Sequence, residues 1–173
     1  MKFFSGFCLK NDKKLFIEYL EDGLVVAGFS KGAQDALEYV LNSDERVDKL
    51  QLFSPAFFDY PPKIIRMNLA AFEKDKKSYI KNFLTKAGAE LTKSGEWRVD
   101  NEVLEINGCE IEDLKKLFTF EWEKISEIKG VKIEVFLGEF DKIIALKKAY
   151  EFFKNYADVY FIKKTNHFLR RVD

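Results

Sequence analysis

Residues Leu24–Phe29, LVVAGF, are apolar or glycine at every position. A strand exposed on one face alternates apolar with polar residues, so this unbroken run fits a strand covered on both faces. Directly after it the pattern changes: Ala33, Ala36, Leu37, Val40 and Leu41 recur at helical spacing. That junction restricts the chain to sheets that carry helices on their faces, which are mainly parallel.

The other segments repeat the theme. KFFSGF, VDKLQLFS, VKIEVFLG and DVYFIK read as further short strands. DKKLFIEYLEDG puts Leu15, Phe16, Tyr19 and Leu20 on one helical face with Gly23 as its stop, and IIALKKAYEFFKNY reads as another helix. All three prolines, Pro55, Pro61 and Pro62, follow the third strand and mark where the chain leaves the sheet. Beyond them IIRMNLAAFEKDKKSYIKNFLTKAG and EIEDLKKLFTFEWEKISEI are helical patterns, separated by a polar stretch around Ser94-Gly95. The expected architecture is an α/β core of about five mainly parallel strands, residues 1–60 and 128–173, with a helical cap, 61–127, inserted after the third strand. At 173 residues and 47% hydrophobic content, the chain can bury one such core.

Gly28-Phe29-Ser30-Lys31-Gly32 sets a serine between two glycines where strand gives way to helix. A sharp turn there needs a strained backbone, and flanking side chains would collide with the neighbouring strand and helix. Such a turn lifts the Ser30 hydroxyl above the sheet edge and aims the first helical amides at whatever the hydroxyl attacks. The plainer alternative is a glycine-rich turn that only packs helix on strand. A serine nucleophile needs a base. The one histidine, His167, follows the last strand, at the edge where open α/β sheets place their sites. Past the fourth strand Glu139 and Asp141 are candidate orienting acids; Asp141 is preferred with Glu139 in reserve, and either also suits a helix cap. Serine, acid, histidine is the chain order of α/β-hydrolases. An oxyanion would be met by the backbone N–H of Lys31 and by one from the loop after the first strand, Phe7 first and Gly6 close behind.

Equal numbers of basic and acidic residues, 29 of each, give no pull toward nucleic acid or an anionic membrane. No apolar run reaches membrane-spanning length, and the N-terminus lacks a signal peptide's apolar stretch. Cys8 and Cys109 are too few and too far apart to suggest a disulfide framework or a metal site, so a reducing cytoplasm is expected, with Cys8 a small buried side chain. No metal or cofactor is expected.

FFSGF, GFSKGAQDALEYV, LQLFSP, GVKIEVFLGEFD and the closing NHFL together resemble, over nearly the whole chain, the compact α/β-hydrolases of the pimelyl-ACP methyl ester esterase group of biotin synthesis, in their short BioV-type form. The resemblance implies a reduced α/β-hydrolase fold that hydrolyses the methyl ester of pimeloyl-ACP to pimeloyl-ACP and methanol. It implies Ser30 as nucleophile, His167 as base and Asp141 as orienting acid. The chain departs from typical α/β-hydrolases in carrying Ser5-Gly6 where they carry His-Gly. It also implies an acyl carrier protein as partner. Carrier proteins are acidic, and between Pro61 and Arg98 nine Lys/Arg stand against four Asp/Glu. Lys63, Arg66, Lys74, Lys76, Lys77 and Lys81 are the candidate contacts, unless they merely solubilise helices. Arg170 and Arg171 lie near His167 in sequence. Cap residues such as Phe72, Tyr79, Phe83, Phe118 and Trp122 either line an acyl channel or hold the cap to the core. No nucleic acid, membrane or second copy is expected as partner. The alternatives are an acyl-ACP thioesterase, a general short-chain ester hydrolase, or a hydrolase-fold protein that binds acyl-ACP without turnover.

Overall fold

The computed structural model describes residues 1–173. Strands β1 (Lys2–Phe4), β2 (Val25–Phe29) and β3 (Lys49–Phe53) are followed by the short β4 (Glu90–Leu91), β5 (Trp97–Val99) and β6 (Glu102–Leu104), then by β7 (Lys132–Gly138) and β8 (Asp158–Ile162). The central five-stranded sheet runs β1-β2-β3-β7-β8, with every pairing parallel. The chain therefore leaves Phe4, Phe29, Phe53, Gly138 and Ile162 along one edge. As its apolar run requires, β2 is buried at every position, and α1 (Lys31–Asn42) covers it with Ala33, Ala36 and Leu37. One carboxylate is buried in β7: Glu134, held by Lys49 and Lys132 at 3.0 Å each and by Gln51 at 3.0 Å. Lys49 and Lys132 open their strands, so this polar network lies toward the edge opposite the loops that follow the strands.

Three sequence expectations need correction. The helix expected over Asp12–Leu20 is a short 3₁₀ turn, Asp12–Phe16. Its surroundings take the polar groups that a helix would have used. Asp12 Oδ2 accepts from Gly6 N–H at 2.9 Å, while the Gln51 amide binds Tyr19 C=O at 3.0 Å and Glu21 N–H at 3.1 Å. Fixed in this way, Phe16 lies flat on the sheet against Phe29 and Phe53, with ring centroids 4.8 and 4.9 Å apart.

The cap is not purely helical. It contains α2 (Pro62–Lys74), α3 (Lys76–Ala87) and α4 (Ile111–Thr119), and between the last two lies a three-stranded antiparallel sheet, β4-β5-β6. The polar stretch at Ser94-Gly95 is the β4–β5 turn, in which Thr92 N–H donates to Glu96 C=O at 2.8 Å and Gly95 takes φ +86°. Strands of two or three residues are too short to show a period of two in the sequence.

Cys8 and Cys109, 101 residues apart, form a disulfide. Backbone bonds bring them together: Asn107 N–H donates to Cys8 C=O at 2.8 Å and Lys10 N–H to Glu105 C=O at 3.2 Å. The cap is thus fastened to the loop after β1, and cysteine usage gives no argument for a reducing compartment. A cross-link closing so long a loop removes much freedom from the unfolded chain. Cys109→Ser is expected to cost about 3 kcal/mol and to lower Tm by about 10 °C in calorimetry; dithiothreitol should bring the wild type to the same Tm. No helix is long and apolar enough to cross a membrane.

Candidate active site

The glycines flanking Ser30 are forced by packing. A Cβ on Gly28 would land on the Gly32 carbonyl, and one on Gly32 would land on the Phe4 carbonyl. The start of α1 is thereby pressed against β2 and β1, and the chain turns through Ser30 at φ 54°, a left-handed conformation rare for any residue with a side chain. Ser30 N–H donates to Phe53 C=O at 2.9 Å, and its C=O accepts from Ala33 and Ala56 N–H at 3.1 Å each. The backbone around this strained residue is therefore held on several sides.

Ser30 Oγ lies 3.0 Å from His167 Nε2, and His167 Nδ1 lies 2.6 Å from Asp141 Oδ2. The other carboxylate oxygen, Oδ1, accepts from Ile143 N–H at 2.8 Å and Ile144 N–H at 3.3 Å. Asp141 thus serves as both turn cap and histidine partner. Glu139 is engaged elsewhere: its Oε2 accepts from Lys164 N–H at 2.7 Å, fixing the loop that carries His167. That loop is tied further by Phe140 N–H on Thr165 C=O at 2.8 Å and by Asn166 Oδ1, which accepts from the Phe168 and Arg170 amides. The His167 ring rests against Phe29 at 5.0 Å. Ser30 and His167 are each 1% exposed, so the three side chains form one almost wholly buried hydrogen-bonded line.

Of the expected oxyanion donors, Gly6 is excluded, because its N–H is spent on Asp12. The Phe7 amide has no acceptor in the protein. Lys31 opens α1, so its amide is among those with no intrahelical acceptor. A cavity of about 250 Å³ touches both residues and is also lined by Ser5, Cys8, Asn107 and Cys109. A second, of about 210 Å³, reaches Ile143 beside Asp141 and is walled by Phe58, Tyr60, Tyr79, Phe83 and Phe118. There Tyr79 donates its hydroxyl proton to Asn68 Oδ1 at 2.8 Å, and burial pushes its pKa up, which keeps the phenol neutral. Phe72 and Trp122 face inward instead: Phe72 packs with Phe7, and Trp122 Nε1 donates to Ala56 C=O at 3.0 Å.

The basic residues divide. Lys76, Lys77 and Lys81 of α3 rim a groove of about 540 Å³ whose apolar lining is Ile80, Leu91, Trp97 and Ile106. Lys63, Arg66 and Lys74 lie on α2 and do not line it. Arg170 is committed to Glu18 at 3.1 Å and Asp100 at 3.6 Å, whereas Arg171 lines a polar cleft with Lys86 and Lys142. Sequence reasoning missed Asp12 and Gln34. Gln34 projects from α1 to donate to Ala56 and Leu117 C=O at 2.9 and 3.0 Å, which stitches helix to cap. A polar residue amid the apolar positions of α1 was the available signal.

No protein-family profile and no curated protein sequence matches the chain. Solved structures do. An esterase (EaEST) from Exiguobacterium antarcticum superposes with TM-score 0.58 at 18% identity, over 79% of this chain and 56% of that one. Est816, described as an N-acyl homoserine lactone degrading enzyme, gives 0.56 at 19% identity, over 83% and 60%. Carboxylesterase CesB (YbfK) from Bacillus subtilis gives 0.53 at 22%, over 91% and 57%. The likeness shows the fold: a reduced α/β-hydrolase, spanning less than two thirds of the length of these proteins.

Proposed function

We propose that this chain is a serine carboxylesterase. The observation that carries the reading is the unbroken line Asp141–His167–Ser30, with the Phe7 amide left without an acceptor. Ser30 Oγ attacks an ester carbonyl while His167 Nε2 takes its proton; Asp141 stabilises the imidazolium and holds its tautomer. The oxyanion that forms is met by the Phe7 and Lys31 amides. His167 then hands the proton to the leaving alcohol, and water repeats the sequence on the acyl-enzyme.

The substrate we assign is the methyl ester of pimeloyl-ACP. Support comes from the sequence resemblance and from the groove of α3, where Lys76, Lys77 and Lys81 surround an apolar floor. An acidic carrier with apolar residues on the docking face complements such a surface. Mass spectrometry of methyl-pimeloyl-ACP after incubation with the protein tests the assignment. The expected result is loss of one methylene's mass from the carrier. Release of the whole acyl group would mean a thioesterase, and an unchanged carrier would end the assignment. Reversing the three lysines to glutamate is expected to raise KM for the carrier-borne ester about tenfold, chiefly through slower association.

A further inference from the structure

Asp12 is fully buried, with no cation beside it, and one of its oxygens, Oδ1, has no hydrogen-bond partner. Such a group is costly to bury unless the bond it does make is needed. Its other oxygen accepts from Gly6 N–H at 2.9 Å, six residues back in the loop after β1. Asp12 belongs to neither the hydrogen-bonded line at Ser30 nor the cap, and nothing in the ester chemistry proposed above uses it.

We infer that Asp12 is a positioning residue for the oxyanion loop, holding the Ser5–Gly6 peptide and so the start of the turn from which the Phe7 amide faces the carbon attacked by Ser30. Two successive peptides are held, one on each side of the Gly6 Cα. The Ser5–Gly6 peptide is fixed by Gly6 N–H on Asp12, and the Gly6–Phe7 peptide by its C=O, which accepts from Leu9 N–H at 3.0 Å. In a trans peptide the N–H points opposite the C=O, so fixing the Gly6 carbonyl fixes the direction of Phe7 N–H. The Phe7 ring is gripped separately, by Phe83 at 5.6 Å and Phe72 at 6.5 Å. Gly6 also packs closely on the Phe29 ring, since a Cβ there would lie 2.7 Å from it. The only side chain bonded to the loop's amides is that of Asp12. Burial raises its pKa, because the charged form is less well solvated here than in water.

This rests on the esterase reading, and the test separates the two. Wild type, Asp12→Ala and Asp12→Asn are assayed on p-nitrophenyl butyrate, with binding of butylboronic acid, which forms a tetrahedral adduct on the serine, measured in parallel. Asp12→Ala is expected to lower kcat about 100-fold with KM nearly unchanged, and to weaken the boronate by a similar factor, as loss of an oxyanion donor does. Asn keeps an acceptor oxygen toward Gly6 and is expected to return kcat to within several-fold of wild type. Asp12→Leu fills the same space without an acceptor and replaces Ala if the alanine protein does not fold. A folded Ala or Leu protein with wild-type kcat, or an Asn protein as slow as Ala, overturns the inference. So does failure of both Ala and Leu to fold, which would make Asp12 a folding residue. A wild type that leaves the ester untouched would remove the esterase reading and this inference with it.

Discussion

Ser30→Ala is expected to leave a folded protein whose kcat on p-nitrophenyl butyrate has fallen by on the order of 10⁵. Alanine adopts φ 54° no more easily than serine does, and the backbone bonds that hold the turn are untouched. What disappears is one hydroxyl and its bond to His167, worth about 1 kcal/mol of stability. His167→Ala should cost about as much turnover, and the double variant hardly more, because the pair acts as a unit. Asp141→Asn is the more telling companion. Its amide oxygen can still accept from Ile143 and Ile144, so the turn survives, but its NH₂ now faces His167 Nδ1. That favours the wrong tautomer and is expected to cost about 10⁴ in kcat with little change in melting. A Ser30→Ala protein that keeps a tenth of wild-type turnover would sink the esterase reading, whatever the fold.

The parts of this site that were legible in the sequence are the ones written locally. An apolar run, a glycine pair and a helical pattern adjoin within one short segment, so β2, the turn at Ser30 and α1 could be placed together. His167 was legible for a different reason: with no rival histidine, only its position after a strand had to be judged. Asp141 reads from the sequence as a helix cap or as a partner for histidine, and its carboxylate has an oxygen for each contact: Oδ1 accepts from Ile143 N–H and Oδ2 lies 2.6 Å from His167 Nδ1. What could not be read depends on long-range pairing. Cys8 meets Cys109 only because the cap folds back onto the β1 loop, and Asp12 is drawn inward by an amide rather than left at a helix start. Its segment has a sound helical pattern. Tertiary bonds to Gly6 and Gln51 override that pattern, as local propensity is a weak prior.

The second large effect concerns the glycine after the serine. Gly32→Ala is expected to cost at least about 3 kcal/mol, lowering Tm by about 10 °C, whereas Gly108→Ala should stay within about 0.5 kcal/mol. Both add a single methyl group, so the contrast isolates space. Nothing lies within 4 Å of a Cβ built on Gly108, while one on Gly32 would lie 2.0 Å from the Phe4 carbonyl oxygen and 2.5 Å from that of Ser5. Neither carbonyl can simply step aside. Phe4 is paired with Gly28 in the sheet, and a Cβ on Gly28 would meet the Gly32 carbonyl, so the start of α1 is pressed on both strands at once. The only relief is for α1 to lift off β1, and that would also change the site. Ser30 and Lys31 travel with the helix, while Phe7 stays with the loop after β1. A separation of 1 Å between nucleophile and oxyanion donor is enough to cost about 100-fold in rate. At a temperature where Gly32→Ala is still folded, its kcat should therefore fall about that far. A Gly32→Ala protein that melts and turns over like wild type would mean that helix and strand do not meet as closely as the fold requires.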